Sequence, residues 1–350
     1  MPKFLARKRF PEMDLLEALI EELGDWARVE IIKQVSYEER SFPLYVVQVG
    51  STDPKAPALG FFGGVHGLEK IGAEVVLSHL STVASLIKWD KSFQQRLESS
   101  RMVFMPIVNP VGIVLRRRSN GQGVDLMRNS PVEAEGPLSA ARLYQGQSIS
   151  PQLPWFRGYG ELEPEAQALC EVVRRWLFPS QLAMAIDVHS GFGSRDRMWF
   201  PYAYSRRPCP HIGQIHALKG LFDHSYPHHF YAIEPVSRQY TIHGDLWDYL
   251  YLEHQQQVQE EKGQQVQRGF IPWTLEMGSW MWLRKNPSQL FSRFGAFDPV
   301  KPHRRERILR RHLNLFDFVQ RSLLAPESWF YLAEEDLARE RAAALELWYA

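Results

Sequence analysis

The stretch from Gly60 to Lys70, GFFGGVHGLEK, is the feature that most constrains what this 350-residue chain can form. It reads as a short apolar strand that ends in glycines, which let the backbone turn sharply. A helical pattern follows at once. His66 and Glu69 therefore lie near the carboxyl end of a strand, where open α/β sheets bind their ligands. An imidazole and a carboxylate three residues apart on one turn can reach a single ion.

Composition narrows the class of protein. Hydrophobic residues make up 45% of the chain, enough for a large core, and 41 basic residues nearly balance 40 acidic ones. That balance argues against nucleic acid or an anionic membrane surface as the main partner. Cys170 and Cys209 make no disulfide framework, and we find neither a signal-peptide pattern nor a run long enough to span a bilayer. We therefore expect a cytoplasmic protein.

Predicted strands and helices alternate along the chain. We predict strands over residues 45–49, 59–63, 102–108, 182–188 and 271–277. We predict helices over residues 13–23, 71–87, 163–177, 304–324 and 334–349. We expect a long loop over 112–155, an irregular aromatic region over 194–250 and an exposed helix or loop over 255–267. This alternation indicates an α/β sheet.

The domain organisation is predicted to be simple. We find no internal repeat and no linker that would mark a second domain. Residues 1–350 are expected to form a single domain with its core at about 40–325. An N-terminal extension, 1–39, and C-terminal helices, 303–350, are expected to pack on that core.

Four apolar strands end at chemically useful residues. These are His66 with Glu69, Asn109, His189 and Glu276. A sheet that is parallel in its centre would bring these ends to one edge. Catalytic zinc takes three protein ligands and keeps one position for water, and His66, Glu69 and His189 would supply such a set. Glu276 could then act as the general base on the water.

Each of these motifs has a simpler interpretation when it is considered alone. A His-x-x-Glu pair can cap a helix or form a surface pair. An acid between two apolar residues, as at Glu276, can be the partner of a nearby arginine. A second possible metal cluster comprises Asp223, His224, His228 and His229. The proline at position 227 disfavours the helix that would align this cluster, and the strand-like run 226–231 favours one histidine outward and one in the core.

In the order and spacing of six motifs, the chain resembles the zinc metallocarboxypeptidases of the carboxypeptidase A type. The motifs are Gly63-Gly-Val-His66-Gly-Leu-Glu69; Asn109-Pro110-Val-Gly112; Arg118-Ser-Asn120 with Val124-Asp125-Leu-Met127-Arg128-Asn129; His189; Tyr240-Thr-Ile-His-Gly244 with Trp247; and Thr274-Leu-Glu276. The resemblance implies a three-layer α/β/α fold around a central mixed, largely parallel twisted sheet. It also implies one zinc ion per chain.

The resemblance implies a role for each residue around the metal. His66, Glu69 and His189 would hold the zinc. Asp125 would orient a ligand histidine, as metal-bound imidazoles usually require. Arg118 would polarise the scissile carbonyl and stabilise the oxyanion.

Other motif residues would contact substrate. Glu276 would deprotonate the water and pass the proton to the leaving amine. Arg128, with Asn129 beside it, would clamp a substrate carboxylate, which the planar guanidinium suits. Tyr240 would close over bound substrate, and His243, close to it in sequence, could touch the substrate as well.

The sequence departs from the family pattern on the substrate side. Met127 stands where the family has an asparagine that helps bind the C-terminal carboxylate, and methionine cannot donate a hydrogen bond. Leu68 occupies a position where members often carry Arg or Asp. The specificity-pocket position falls on Asp245, Leu246 or Asp248, which imply opposite preferences, basic or apolar.

Three alternative hypotheses about function follow from these observations. The first is a zinc peptidase that releases a C-terminal residue from peptides, which Tyr240 and the spacing of Arg118 and Asn120 favour. The second is a zinc deacylase or amidase of N-acyl amino acids, similar to the succinylglutamate desuccinylase and aspartoacylase branch, for which Met127 leaves room. The third is a non-catalytic binding module, against which the intact Glu276 argues.

Overall fold

The computed structural model describes residues 10–136, 145–261, 268–292 and 295–350. Parts of three predicted segments lie outside the described residues, and one of them is 1–9 of the expected N-terminal extension 1–39. The other two are 137–144 of the expected loop 112–155 and 262–267 of the expected exposed segment 255–267.

The chain alternates between strands and helices. The strands are β1 (Ala27–Tyr37), β2 (Arg40–Gly50), β3 (Ala58–Gly63), β4 (Arg101–Met105), β5 (Leu182–Ser190), β6 (Arg197–Phe200), β7 (Ala232–Pro235) and β8 (Gly269–Met277). The helices are α1 (Pro11–Leu23), α2 (Lys70–Leu86), α3 (Lys91–Ser99), α4 (Pro110–Leu115), α5 (Pro164–Trp176), α6 (Ile212–Ser225), α7 (Leu246–Glu260), α8 (Trp280–Lys285), α9 (Pro302–Arg311), α10 (Leu313–Leu323) and α11 (Glu334–Tyr349). Within the described ranges no single helix has the length and apolar composition of a membrane span, although α2 and α3, bent by 111°, would together meet both criteria.

One eight-stranded sheet contains all of these strands, in the order β1-β2-β4-β3-β5-β8-β6-β7. Its centre, β4-β3-β5-β8, is parallel throughout. β2 joins this centre antiparallel at one side and β6 at the other. The sheet is therefore mixed with a parallel centre, which confirms the predicted fold class.

The central strands are apolar and buried on both faces, as parallel strands usually are. Every residue of β3 and β5 is buried. Phe61 of β3 packs against His79 of α2 and Phe316 of α10, with ring centroids 4.6 and 5.0 Å apart. The next residue, Phe62, points to the other face and contacts Trp247 of α7 at 5.0 Å. Helices thus cover both faces, which confirms the three-layer α/β/α arrangement.

The prediction of an irregular region over 194–250 is wrong. That region contains β6, α6, β7 and the start of α7. Two glycines, Gly213 and Gly220, lower the helix propensity of α6 and conceal it in the sequence. Ile215, Leu218 and Phe222 nevertheless form a buried stripe at helical spacing, and this stripe is the signal that could have revealed the helix.

Two further predictions about chain geometry are wrong. The helix expected over 304–324 is divided into α9 and α10 at His312, whose buried ring meets the Tyr231 hydroxyl at 2.8 Å. The run 226–231 is not a strand, because β7 begins only at Ala232. Tyr226 closes α6 instead, and the residues after it form a turn.

Candidate metal centre and active site

Three neighbouring parallel strands, β3, β5 and β8, supply the candidate site. The turn after β3 carries His66 and Glu69 to the start of α2. His189 is the last but one residue of β5, and Glu276 occupies the same place in β8, directly opposite His189. The carboxyl ends of these strands lie at one edge of the sheet. The fold therefore brings together the three residues that the sequence predicts as metal ligands and the residue that it predicts as the base.

Glycine allows the turn between the first two of these residues to lie against α4. A Cβ atom added at Gly67 would lie 1.9 Å from the carbonyl carbon of Gly112, so no larger residue fits there without a shift of the backbone. Asn109 caps α4, since its Oδ1 accepts from the Gly112 amide at 2.8 Å, and its Nδ2 donates to the Val65 carbonyl at 3.1 Å. Asn109 thus positions the ligand-bearing turn rather than lining the cavity.

His66, Glu69 and His189 have the geometry of a metal site. One donor atom from each lies within 4.8 Å of the other two. All three side chains are buried, with at most 4% of each residue exposed. In the parts of the chain that the structure describes, no other group of three or more His, Cys, Asp or Glu residues meets this geometry.

The second histidine cluster of the sequence does not form such a group. His229 pairs with Asp223 at 2.7 Å, and the ring of His229 stacks on Phe222 at 4.5 Å. His224 Nδ1 faces the Gly220 carbonyl oxygen at 2.6 Å, and His228 is exposed. These residues form local pairs within and after α6.

The donor set fits zinc, because two histidines and one carboxylate are a set that catalytic zinc uses. Two residues of this set also contact a positively charged side chain of the protein, that of Arg118. The Arg118 guanidinium donates to Glu69 Oε1 at 3.0 Å and lies 2.7 Å from His66 Nε2. Burial and the charge of Arg118 lower the pKa of His66 to about 3, so its ring is neutral, as a metal ligand must be.

A carboxylate orients the ligand histidine His189. Asp187 Oδ2 contacts His189 Nε2 at 2.6 Å and accepts from Trp247 Nε1 at 2.9 Å, so that His189 Nδ1 faces Glu69 at 3.1 Å. Sequence reasoning assigned no role to Asp187. The signal was its position two residues before His189 on a strand, because alternate residues of a strand share one face.

Asp125 connects the metal centre to the substrate side. Its carboxylate lies 3.7 Å from His66 Nδ1. Its Oδ2 accepts from Arg118 Nε at 2.8 Å and from Arg128 Nη1 at 3.0 Å. Although burial opposes ionisation, the charges of Arg118 and Arg128 hold the pKa of Asp125 well below its usual range. One ionised carboxylate thus holds two arginines and lies close to one ligand histidine.

The surroundings of Glu276 fix its carboxyl group and raise its pKa. Its Oε1 accepts from the backbone amide of Phe192 at 2.9 Å, and only 7% of the residue is exposed. Burial and the negative charge of Glu69 raise the pKa of Glu276 to about 8. A carboxylate with this proton affinity suits a general base better than an ordinary surface glutamate does.

A cavity of about 750 Å³ opens at this edge of the sheet. Besides the ligands and Glu276, its wall includes Met127, Arg128, Tyr240, Asp245 and Thr274. Arg128 is 4% exposed, and its Nε has no hydrogen-bond partner among the described residues. Tyr240 packs against Phe192 and Trp199, with ring centroids 5.7 and 6.1 Å away. The cavity wall therefore includes an arginine and a tyrosine side chain.

Two residues expected to touch substrate lie elsewhere. The Asn129 amide donates to the carbonyls of Arg157 and Glu161, and its oxygen accepts from the Glu163 amide, so it fixes the surrounding loop. His243 lies against Glu133, with 2.7 Å between Nδ1 and Oε2, and is not part of the cavity wall.

Among the three candidates for the specificity position, only Asp245 lines the cavity. Leu246 is fully buried as the first residue of α7. Asp248 is buried too, and its Oδ2 accepts from the backbone amides of Ala203 and Tyr204 at 2.7 Å each. The carboxylate of Asp245 is therefore the only group of this set that a ligand can reach.

The fold and the ligand group together define an α/β protein of the metallocarboxypeptidase type. The profile of the zinc carboxypeptidase family matches residues 13–278, and the chain belongs to this family. Carboxypeptidase SOL1 of Arabidopsis thaliana is 22% identical in a 266-residue alignment that covers 71% of this chain and 49% of that protein. Carboxypeptidase E of Caenorhabditis elegans is 30% identical in a 134-residue alignment that covers 33% of this chain and 28% of that protein. The chain thus spans about half or less of the length of these curated relatives.

Solved structures show the same fold. Carboxypeptidase A from Helicoverpa armigera superposes with a TM-score of 0.62 at 18% identity, covering 97% of this chain and 74% of that one. Thrombin-activatable fibrinolysis inhibitor superposes with a TM-score of 0.61 at 20% identity, covering 91% and 73%. At these identities the likeness establishes the fold.

Proposed function

We propose that this protein is a zinc-dependent peptidase that releases the C-terminal residue of a peptide. The observation that carries the proposal is that the ligand group His66, Glu69 and His189, the raised-pKa carboxyl of Glu276 and the side chain of Arg128 line one cavity. Membership of the zinc carboxypeptidase family supports it.

Zinc would be held by the two histidines and Glu69. When bound, a zinc ion polarises a carbonyl and lowers the pKa of water. The protein's own residues do the rest. An oxygen of Glu276 accepts the proton of the attacking water and delivers it to the nitrogen of the leaving amine. Arg118 donates to the carbonyl oxygen as negative charge develops on it.

Arg128 binds the free carboxylate of the substrate. A guanidinium can bind a carboxylate through two parallel hydrogen bonds. Because Met127 replaces a hydrogen-bond donor, Arg128 makes this contact without the help of the neighbouring side chain. We expect the carboxylate to contribute less to binding here than in family members that retain asparagine.

The side chain of the released residue lies towards Asp245 in this proposal. Several acidic residues line the cavity. Asp245 is one of them, and it is assigned neither to the metal nor to the role of base. Its Oδ1 accepts from the Asp248 amide at 2.8 Å, which holds the carboxyl group in place. A buried carboxylate favours a cationic partner, so we propose a preference for a C-terminal lysine or arginine.

A substrate panel tests this function. Peptides that differ only in their last residue, their amidated counterparts and N-acyl amino acids are incubated with the zinc-loaded protein, and products are identified by mass spectrometry. We expect loss of one C-terminal residue from the free peptides. The Glu276→Gln protein is the control for contaminating peptidases. Cleavage of N-acyl amino acids alone would overturn the proposal.

A further inference from the structure

The segment Phe297–Asp298 ties together the two elements that carry the metal ligands. Asp298 Oδ1 accepts a hydrogen bond from the backbone nitrogen of Ile71 at 3.1 Å. The carbonyl oxygen of Phe297 accepts one from Ser190 Oγ at 2.6 Å. Ile71 lies two residues after Glu69, and Ser190 directly follows His189. The segment also lies beyond residues 13–278, which the family profile matches.

Asp298 supplies a cap that the start of α2 otherwise lacks. Glu69 occupies the N-cap position of α2, but its side chain caps none of the helix amides. Its carboxylate is directed instead to the metal centre, where it meets Arg118, His189 and the Ser190 amide. The amides of a first helical turn need acceptors, and a carboxylate is favourable there. Asp298 provides one from a position 227 residues away in the chain.

The capping segment is itself held in place. Gln289, of which 2% is exposed, donates from Nε2 to the carbonyl oxygens of Gly295 at 2.7 Å and Asp298 at 3.0 Å. The Phe297 ring lies against Gly191, where an added Cβ would come within 2.8 Å of its Cδ1. Asp298 therefore reaches α2 from a fixed support.

We propose that Asp298 is a positioning residue for Glu69, and that it holds the ligand group in its metal-binding geometry through the first turn of α2. The inference rests on the metal site of the proposed function. It does not depend on the substrate or on the reaction. Loss of the cap should therefore weaken zinc binding by more than the accompanying loss of fold stability explains.

Zinc affinity and thermal stability are compared in the wild type and four variants. The dissociation constant of zinc is measured by competition with a chromophoric chelator, and the melting temperature by circular dichroism. In Asp298→Ala the acceptor is lost, and we expect zinc binding to weaken about tenfold, as for the loss of other groups that orient metal ligands. In Asp298→Asn the side-chain oxygen can still accept from Ile71, and we expect zinc affinity close to that of the wild type.

Asp90→Ala is the matched control. Asp90 caps α3 by accepting from the amides of Ser92 and Phe93 at 2.9 and 3.1 Å, and it does not line the cavity. Its removal should lower the melting temperature as the loss of a helix cap does, with no change in zinc affinity. An equal effect of Asp90→Ala and Asp298→Ala on zinc binding would overturn the proposal, as would full affinity in Asp298→Ala.

If Asp298→Ala does not fold, Ser190→Ala tests the proposal instead. It removes only the hydrogen bond to Phe297 and should weaken zinc binding in the same direction, whereas unchanged affinity would overturn the proposal. The outcomes remain separable from those of the proposed function. Zinc binding by the wild type without peptide hydrolysis would contradict the proposed function alone, and a wild type that binds no zinc would contradict both.

Discussion

His189 and Glu276 are register partners in the adjacent parallel strands β5 and β8. A candidate metal ligand and the candidate general base therefore stand side by side at the edge of the sheet. Asp187 and Thr274, the register pair two residues earlier, share their face. Asp187 orients His189, and Thr274 lines the cavity. The pairing of two strands thus places a ligand, its orienting carboxylate and a base within one small area.

Replacement of Glu276 by Gln tests the base. Because the Gln oxygen can still accept from the Phe192 amide, the fold and the zinc content should stay unchanged. Without a group that takes the proton, kcat should fall by roughly 10²–10⁴-fold, the usual contribution of a general base. Zinc is measured by mass spectrometry and hydrolysis by product formation. Full activity with bound zinc would mean that another residue is the base.

Replacement of Arg128 by Ala tests recognition of the substrate carboxylate. A hydrogen bond to a charged group contributes about 1.5–3 kcal/mol, so KM for peptides with a free C-terminus should rise roughly ten- to hundredfold. KM for amidated peptides should change little, since they have no carboxylate to lose. Arg128→Lys keeps the positive charge beside Asp125 but not the planar fork, and should have an intermediate KM. A rise of the same size for free and amidated peptides would remove the proposed role.

Replacement of Asp245 by Asn tests the preference for a basic residue. The change keeps the size and removes the charge, so kcat/KM for peptides ending in lysine or arginine should fall at least about tenfold, as for the loss of one partner of a buried charge pair. Peptides ending in leucine should not lose activity. Asp248→Asn is the matched control, because this buried residue does not line the cavity. If both variants lose activity on all peptides alike, the effect is on folding rather than specificity.

Metal content tests the ligand group. We expect about one zinc ion per chain, and chelation should abolish peptide hydrolysis until zinc is restored. His66→Ala and His189→Ala should each lose stoichiometric zinc. His229→Ala, in the histidine cluster after α6, should retain it, because His229 pairs with Asp223 instead of joining a group of three donors. Retention of zinc by both ligand variants would place the metal elsewhere.

The free energy of unfolding should fall at acidic pH because of His79. Its ring lies between Phe61, Phe104 and Phe316, and burial lowers its pKa from 6.5 to about 3. Since the unfolded chain takes up a proton below pH 6.5 and the folded chain does not, stability is full above that pH and is lost as the pH falls towards 3. One such group contributes a slope of about 1.4 kcal/mol per pH unit.

Denaturant unfolding at a series of pH values measures this slope. In His79→Leu the decline between pH 6.5 and 4 should be shallower than in the wild type by up to about 1.4 kcal/mol per pH unit. Replacement of the exposed His228 by Leu is the matched control. Identical slopes in the wild type and His79→Leu would show that the buried ring is not the source of acid sensitivity.

Much of the site could be read from the chain because its residues end regular elements. Apolar runs identify β3, β5 and β8, and His66, His189 and Glu276 stand at or just after their carboxyl ends. A parallel sheet then brings such ends together without any further information. Helix α6 was not predicted from the sequence because its glycines weaken the helical pattern. Its burial also depends on helix α11, which lies about 120 residues later in the chain.

The sequence predicted the fold class correctly and indicated the candidate ligand group and the candidate base, since period, strand ends and motif spacing are local properties of the chain. Which neighbours complete the candidate site follows from the packing of the elements. This packing directs Asp245 towards the cavity and Asp248 towards backbone amides, withdraws Asn129 and His243 into loop contacts, and brings Asp298 to the start of α2. The physical reason is that the direction of a side chain and a contact between residues far apart in the chain depend on how elements pack, which no local pattern records.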